Sequence, residues 1–408
     1  MRVRRNYALL SAYLYCFFFA QAMSISLLSI WYTKTLGLSG ADVGLVFSVT
    51  FFVALILQPI YGFLSDKAGL RKYVLWFVAS MCTLSGLFFA FAYGALLQHN
   101  IFVGAIAGGL FIGATFVAGA YAVESYVDRV GRKYGFEYGR ARLWGSLGFA
   151  SAAFFSGRLY NIDPRINFTL AAVAGAILCL VVLVTRVEHS EADRQSSASL
   201  NLRDALLVLQ MKKFWGLMVL ILGVTNLYLV YDQQFPIYFA SLFPTPAKGN
   251  EMFGYLSSAQ IFVEAAMMFI APSIVSRIGP RNGLLLAASV MIIRMAGSGL
   301  ASGPLEISCM KMLHALELPI MLVSIFKYIA CHFDNRLCST IYMVGWSFGH
   351  SLGLALLSPI AGRMYDLIGF PTTYLLVAGF ALVFLVISFF TLAPNPKPDP
   401  LCVAKTTL

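Results

Sequence analysis

The sequence predicts an all-α polytopic membrane protein whose twelve membrane-spanning helices form two pseudo-symmetric bundles of six. Three observations carry this. The 408 residues are 59% hydrophobic and only 12% charged, with a mean hydropathy of +0.79, far from the composition of a soluble domain. Apolar runs of about 20 residues recur along the whole chain, each long enough to cross a ~30 Å hydrocarbon core as a helix. The most polar stretch, 189–201, divides those runs into two sets of six.

The spans are read at 7–32, 43–64, 73–96, 101–123, 143–160, 167–185, 214–240, 253–275, 283–301, 305–330, 339–362 and 371–393. The first follows Arg2, Arg4 and Arg5 and contains Ala20-Gln21-Ala22, an imitation of a signal-peptide cleavage site. Its apolar run continues to Trp31, and cleavage would remove one span from an even set, so it is read as a helix. The second span ends in GFLSDKAGLRK from Gly62, and the eighth ends in Ser276-Arg277-Ile278-Gly279-Pro280-Arg281-Asn282, a related loop six spans later. Asp128-Arg129-Val130-Gly131-Arg132-Lys133 repeats the pattern between spans four and five. Glycine in such a loop permits a tight turn, and the cations can bond the carbonyls at helix ends. The resulting organisation is an N-terminal bundle over 1–186, a cytoplasmic linker over 187–212, a C-terminal bundle over 213–396 and a cytoplasmic tail over 397–408.

With the N-terminus in the cytoplasm, the loops on that side carry most of the cations, among them Lys67, Arg71, Lys72, Arg129, Arg132, Lys133, Lys212, Lys213, Arg277 and Arg281. The opposite side keeps Lys34, Arg158, Arg165, Lys248 and Arg363. This is the positive-inside bias of a membrane protein with both ends cytoplasmic. The net charge of +11 therefore implies no nucleic-acid partner. The seven cysteines sit mostly within spans as small hydrophobes and offer no disulfide framework or metal spacing.

Glu124, Asp232, Glu264, Glu317, Arg142, Arg294 and Lys311 lie inside these apolar spans. At roughly 3 kcal/mol for each unpaired charge at midplane, seven would cost on the order of 20 kcal/mol unless paired or facing water. They are expected to converge on a polar interior. One carboxylate is in excess, and protonation is the simplest way to hold it in a low dielectric, which points to a proton-coupled machine. No nucleotide-binding loop, nucleophile elbow or metal-ligand cluster occurs, so an enzyme is not expected. A membrane-embedded sensor that binds its ligand without moving it is the reading from another class.

GFLSDKAGLRK resembles the loop motif of the major facilitator superfamily, in which Gly62, Asp66, Lys67, Gly69 and Arg71 would form a gating loop. More specific strings run through both halves: AVESY at Glu124, FEYGRARLWGS at Arg142, YDQQF at Asp232, KMLHALELP from Lys311 to Pro319, and FKYI from Phe326. They resemble the oligosaccharide:proton symporters, the lactose, raffinose and sucrose permeases. The resemblance implies a proton-coupled importer of a disaccharide or small oligosaccharide that works by alternating access. It further implies a functional monomer in a bacterial inner membrane, with the proton as coupling ion and no other cofactor.

It also implies roles for particular residues. Lys311, His314 and Glu317 share about a third of a helix circumference. Glu317 is implied as the proton carrier, Arg294 as its electrostatic counterpart, and His314 and Tyr228 as the groups linking proton and sugar. Asp232 and Lys311 read as a structural charge pair between spans seven and ten; a second such pair of the lactose group is replaced here by Leu229 and His350. Arg142 with Glu124 is implied to hold the sugar, a planar fork of donors beside a carboxylate being suited to a vicinal diol; a structural ion pair is the alternative. Phe149, two turns beyond Arg142, stands where lactose-type members have Trp, though ordinary packing also accounts for a phenylalanine there. Glu264 lies one turn beyond the usual site carboxylate, whose position is Ile261. Together with Gln21, this departure leans toward sucrose, with melibiose, raffinose or lactose as alternatives.

Overall fold

The computed structural model describes residues 2–68, 70–187, 207–334 and 337–395, and among them every regular element is helical. Twelve long helices follow one another in these residues: α1 (Arg4–Thr35), α2 (Gly40–Ala68), α3 (Tyr73–His99), α4 (Ile101–Tyr134), α5 (Tyr138–Ile162), α6 (Pro164–Val184), α7 (Lys212–Ser241), α8 (Pro246–Ile278), α9 (Pro280–Leu300), α10 (Pro304–His332), α11 (338–368) and α12 (370–391). The last two form one helical run broken at Gly369, whose φ of 75° and ψ of 171° lie outside the helical region. That run and all the other helices except α5 are long and apolar enough to cross a membrane. α5 has the length but carries Arg140, Arg142 and Arg158. Most of the helices extend beyond the apolar runs because the polar residues flanking those runs are helical too. The linker stretch 188–206 and the tail from 396 lie outside the described residues, as do Gly69 and the side chain of Asp66.

Local chemistry sets the helix ends. Asn100 accepts from the amides of Phe102 and Val103 at the start of α4. Asp163 accepts from Arg165 N ahead of α6, whose first residue is Pro164, a position where the missing N–H costs nothing. Gly279 turns the chain from α8 to α9 with φ 85°. In the loop after α4 the structure corrects the sequence: Gly131 is helical and the left-handed residue is Gly135, φ 74°. Helix propensity carries α4 one turn further than the loop pattern indicates.

The cations of these loops do bond helix-end carbonyls. Lys72 Nζ donates to Val182 O at 2.6 Å and Thr185 O at 2.8 Å, closing the end of α6, and Arg129 Nη1 donates to Ser65 O of α2 at 3.2 Å. Arg281 donates to Phe389 O of α12, the equivalent closure later in the chain.

Two compact units emerge. The first comprises Met1–Ser199, Gln234–Phe262 and Ser358–Asp366; the second comprises Leu200–Gln233, Val263–Leu357 and Leu367–Leu408, each in its described residues. Small residues bring backbones together within each. In the first, Gly148 faces the Tyr15 carbonyl of α1 and Gly175 faces Cys82 and Thr83 of α3. In the second, Gly353 faces the Asn226 amide and Gly216 the Thr391 carbonyl. Large apolar side chains such as Phe63, Phe269 and Phe390 remain mostly exposed, which is tolerable when the surrounding medium is itself apolar.

Among the described residues, five π-helical turns interrupt the α-helices, at Trp31–Thr35, Phe88–Tyr93, Gly113–Val117, Ile221–Thr225 and Tyr342–Phe348. Such turns recur at functional sites. The third lies two turns before Glu124.

Candidate functional site

The intramembrane charges divide between the units. Glu124 and Arg142 belong to the first, and Asp232, Glu264, Arg294, Lys311 and Glu317 to the second. The surplus carboxylate is thus in the second unit.

In the first unit, Glu124 on α4 and Arg142 on α5 meet through Arg142 Nε and Glu124 Oε1 at 2.6 Å. Arg142 Nη1 donates to Ser146 Oγ, one turn on, at 3.2 Å. The guanidinium rests on the ring of Phe18, 4.0 Å from its centroid, and Gly145 leaves room for that ring. Tyr138, at the start of α5, lies close to Glu124. The pair is only partly withdrawn from solvent, with side-chain exposures of 33% and 25%. Arg142 Nη2 has no hydrogen bond among the described residues, so a planar donor is still available to a ligand. Phe149 is partly buried farther along α5. Gln21 is partly buried on α1 and donates to Phe116 O at 2.8 Å.

The second cluster is closed. Arg294 and Glu317 have no exposed side-chain surface. Arg294 makes a two-pronged pair with Asp232, Nη1 to Oδ1 at 3.0 Å and Nη2 to Oδ2 at 3.1 Å, and also reaches Glu317 Oε1 at 3.0 Å. Its guanidinium lies between Tyr228 and Tyr231, 4.7 and 4.8 Å from their centroids. Lys311 Nζ reaches Asp232 Oδ1 at 3.3 Å. Asp232 is therefore shared by two cations rather than paired with Lys311 alone, and Arg294 serves Asp232 as well as Glu317.

His314 Nδ1 stands 3.0 Å from Glu317 Oε1 and 2.9 Å from Tyr228 Oη, a junction between a carboxylate and a phenol. The local chain explains this placement. Leu313 N bonds Met310 O and Leu316 N bonds Leu313 O, tight three-residue bonds within α10, and Pro319 removes a backbone donor one turn later. The helix is distorted where His314 and Glu317 project. Glu317 Oε2 is buried without a hydrogen-bond partner among the described residues.

Glu264, on α8, is partly buried and makes no ion pair or hydrogen bond among the described residues. It lies near enough to Tyr228 to act on it electrostatically. His350, at the place of the replaced second pair, is buried and bonds the Trp346 carbonyl at 2.6 Å. Gly62 of the loop motif has open space around it, and Lys67 and Arg71 are exposed. An apolar hollow of about 320 Å³ between α2 and α3, lined by Leu57, Ile60, Leu64, Tyr73 and Phe77, contains none of the intramembrane charges.

Tyr138, Ser146 and Tyr231 lie within the strings FEYGRARLWGS and YDQQF, which assign them no role of their own, and Phe18 joins the first cluster without a signal in the sequence. Phe18 lies within a Phe17-Phe18-Phe19 run that reads as ordinary core, and no spacing rule singles out which ring meets Arg142.

The chain matches the LacY proton/sugar symporter family over residues 1–405. It is 39% identical to the raffinose permease of Escherichia coli over 390 residues, covering 94% of this chain and 92% of the relative. It is 36% identical to the sucrose permease of Escherichia coli over 388 residues (95% and 94%) and 37% identical to the melibiose permease of Enterobacter cloacae over 398 residues (96% and 94%). Among solved structures, the nucleoside transporter NupG superposes with a TM-score of 0.78 at 16% identity, covering 97% of this chain and 100% of that one. A bacterial homologue of the lysosomal transporter Spinster gives 0.71 at 15% identity, covering 97% and 99%. At such identities these two show the fold alone, that of a helical membrane transporter. Successive helices able to span a membrane, paired charges within apolar spans of both units and a match along nearly the whole sequence lead to one conclusion: the chain belongs to the LacY proton/sugar symporter family, and is an integral membrane transporter rather than an enzyme.

Proposed function

We propose that this symporter imports a disaccharide or small oligosaccharide, sucrose foremost, together with a proton by alternating access, acting as a monomer with both termini cytoplasmic. Arg142 and Glu124 hold the sugar hydroxyls through the fork and carboxylate left partly open to solvent. Phe149 offers a ring to the sugar's apolar face, Gln21 adds a polar group, and Glu264 is a further sugar-binding residue of the second unit. Glu317 carries the proton, with its unpartnered Oε2 as the acceptor atom.

His314 couples the two events. When Glu317 is ionised, Nδ1–H donates to Oε1; when Oε2 takes up the proton, the carboxyl loses its charge and that bond weakens. The imidazole thereby changes its relation to Tyr228 with each proton gained or lost. Arg294 stabilises the ionised carboxylate from the other side, while Asp232 neutralises that arginine in a water-poor interior and Lys311 is the second cation on Asp232.

The observation that carries this reading is the enclosed junction of Glu317, His314, Arg294 and Tyr228. Sucrose is favoured because Glu264 stands one turn from the position the lactose group uses. Raffinose, melibiose or lactose is the second reading, supported by the similarity to permeases with those names. Uptake of radiolabelled sucrose, raffinose, melibiose and lactose, with and without a protonophore, tests both. The expected result is accumulation of sucrose that the protonophore abolishes; accumulation of another sugar with indifference to sucrose would move the assignment. In Glu317→Gln, uphill uptake should be lost while sugar exchange across the membrane persists. Normal accumulation in that variant would remove Glu317 from the proton role.

A further inference from the structure

The first unit contains a contact that occurs twice. Gly157-Arg158-Leu159-Tyr160-Asn161 ends α5, and Gly362-Arg363-Met364-Tyr365-Asp366 recurs near the end of α11. Each string abuts the start of another helix: the first meets α8, the second meets α2. Gly157 faces the Asn250 carbonyl and Gly254 faces the Ala153 carbonyl; correspondingly, Gly362 faces the Gly40 carbonyl and Gly44 faces the Ser358 carbonyl. At all four glycines a Cβ would strike the opposing backbone, so nothing passes between these helix ends.

The last residue of each string then bonds the facing helix end. Asn161 Nδ2 donates to Ala247 O at 2.6 Å, and Asn250 Nδ2 donates to Asn161 Oδ1 at 2.9 Å. At the other copy Asp366 takes both prongs: Gly40 N donates to Oδ1 and Ala41 N to Oδ2, each at 2.8 Å. Ser39 Oγ accepts from Asp42 N at 3.1 Å. The free amides at the start of α2 are therefore satisfied by Ser39 and by a carboxylate from a helix more than 300 residues away. Gln234 Nε2 fastens the same turn by donating to Gly40 O at 3.0 Å.

We propose that Asp366 is a positioning residue for transport. Its carboxylate clasps the first two amides of α2 and holds this end of the first unit shut, and Asn161 is its neutral counterpart. A carboxylate bonded to backbone amides at a helix N-terminus is held by charge as well as by hydrogen bonds, so Asp366 is the stronger of the two clasps. Release of Gly40 and Ala41 is then a step in opening the carrier to the membrane face where α2 begins. The inference rests on alternating access, which uptake by the wild-type protein tests independently in the same vesicles.

The experiment measures sugar exchange in right-side-out and inverted vesicles, giving an apparent KM at each face. In Asp366→Ala the KM at the α2-start face should fall about fivefold, the equivalent of ~1 kcal/mol for a lost helix cap, while the KM at the other face does not fall. Asp366→Asn, which keeps one acceptor, should shift it less, and Asp366→Glu should restore most of the wild-type value. Gly362→Ala leaves the carboxylate intact but drives the same backbones apart, and should shift KM in the same direction. A merely structural cap would lower the amount of folded protein without favouring one face. Equal KM changes at both faces, or none, in Asp366→Ala would overturn the proposal; if that variant does not fold, the same result in Gly362→Ala would do so.

Discussion

Arg142 and Arg294 are both intramembrane guanidinium groups, yet one is a third exposed with a free terminal nitrogen and the other is enclosed and shared by two carboxylates. The exposed one can still bind something, and the enclosed one can only rearrange. Replacing Arg142 with Lys keeps the charge but removes the fork, and with it a charged hydrogen bond worth ~1.5–3 kcal/mol. Sugar affinity in Arg142→Lys should fall about 10- to 100-fold by isothermal titration calorimetry; unchanged affinity would make the Glu124 pair structural. The charges inside apolar spans are legible in the sequence because their burial cost makes them conspicuous. Their pairing is not. The sequence sets Asp232 beside Lys311, but its closest partner is Arg294, 62 positions away, and which cation a carboxylate meets depends on how three helices face one another.

At the scale of elements, the number and order of helices follow from the apolar runs, since a bilayer accepts little else. The helix ends follow less well, because polar residues at a membrane surface are as compatible with helix as with loop. Gly131 and Gly135 show the ambiguity: two glycines sit about one turn apart, and only the second takes the left-handed conformation. Packing between helices rests on small residues whose register a single sequence does not disclose. Gly148 is such a residue, so Gly148→Val should force α1 and α5 apart where the Tyr15 carbonyl now fits. Overpacking of this kind costs about 1–3 kcal/mol. A lowered midpoint in a thermal-shift assay is expected, and an unchanged midpoint would mean that the two helices separate freely.

For the whole molecule, the balance of charge has a measurable result. Glu124 is matched by Arg142, and Asp232 and Glu317 are matched by Arg294 and Lys311. Glu264 has no ion-pair partner among the described residues, and Glu317 is the carboxylate proposed to take up the proton. A carrier that moves one proton with a neutral sugar moves one net charge, and 100 mV across the membrane contributes about 2.3 kcal/mol to it. Vesicles given an inside-negative potential of that size, without a pH difference, should accumulate sugar about 50-fold; no accumulation would mean that transport is electrically silent. The π turns add a different handle. Each amounts to one residue inserted into an otherwise regular helix, so deleting one residue from Gly113–Val117 would reel the rest of α4 back by about 1.5 Å and rotate it by about 100°. A single-codon deletion would thus swing the Glu124 carboxyl away from Arg142 without altering either side chain.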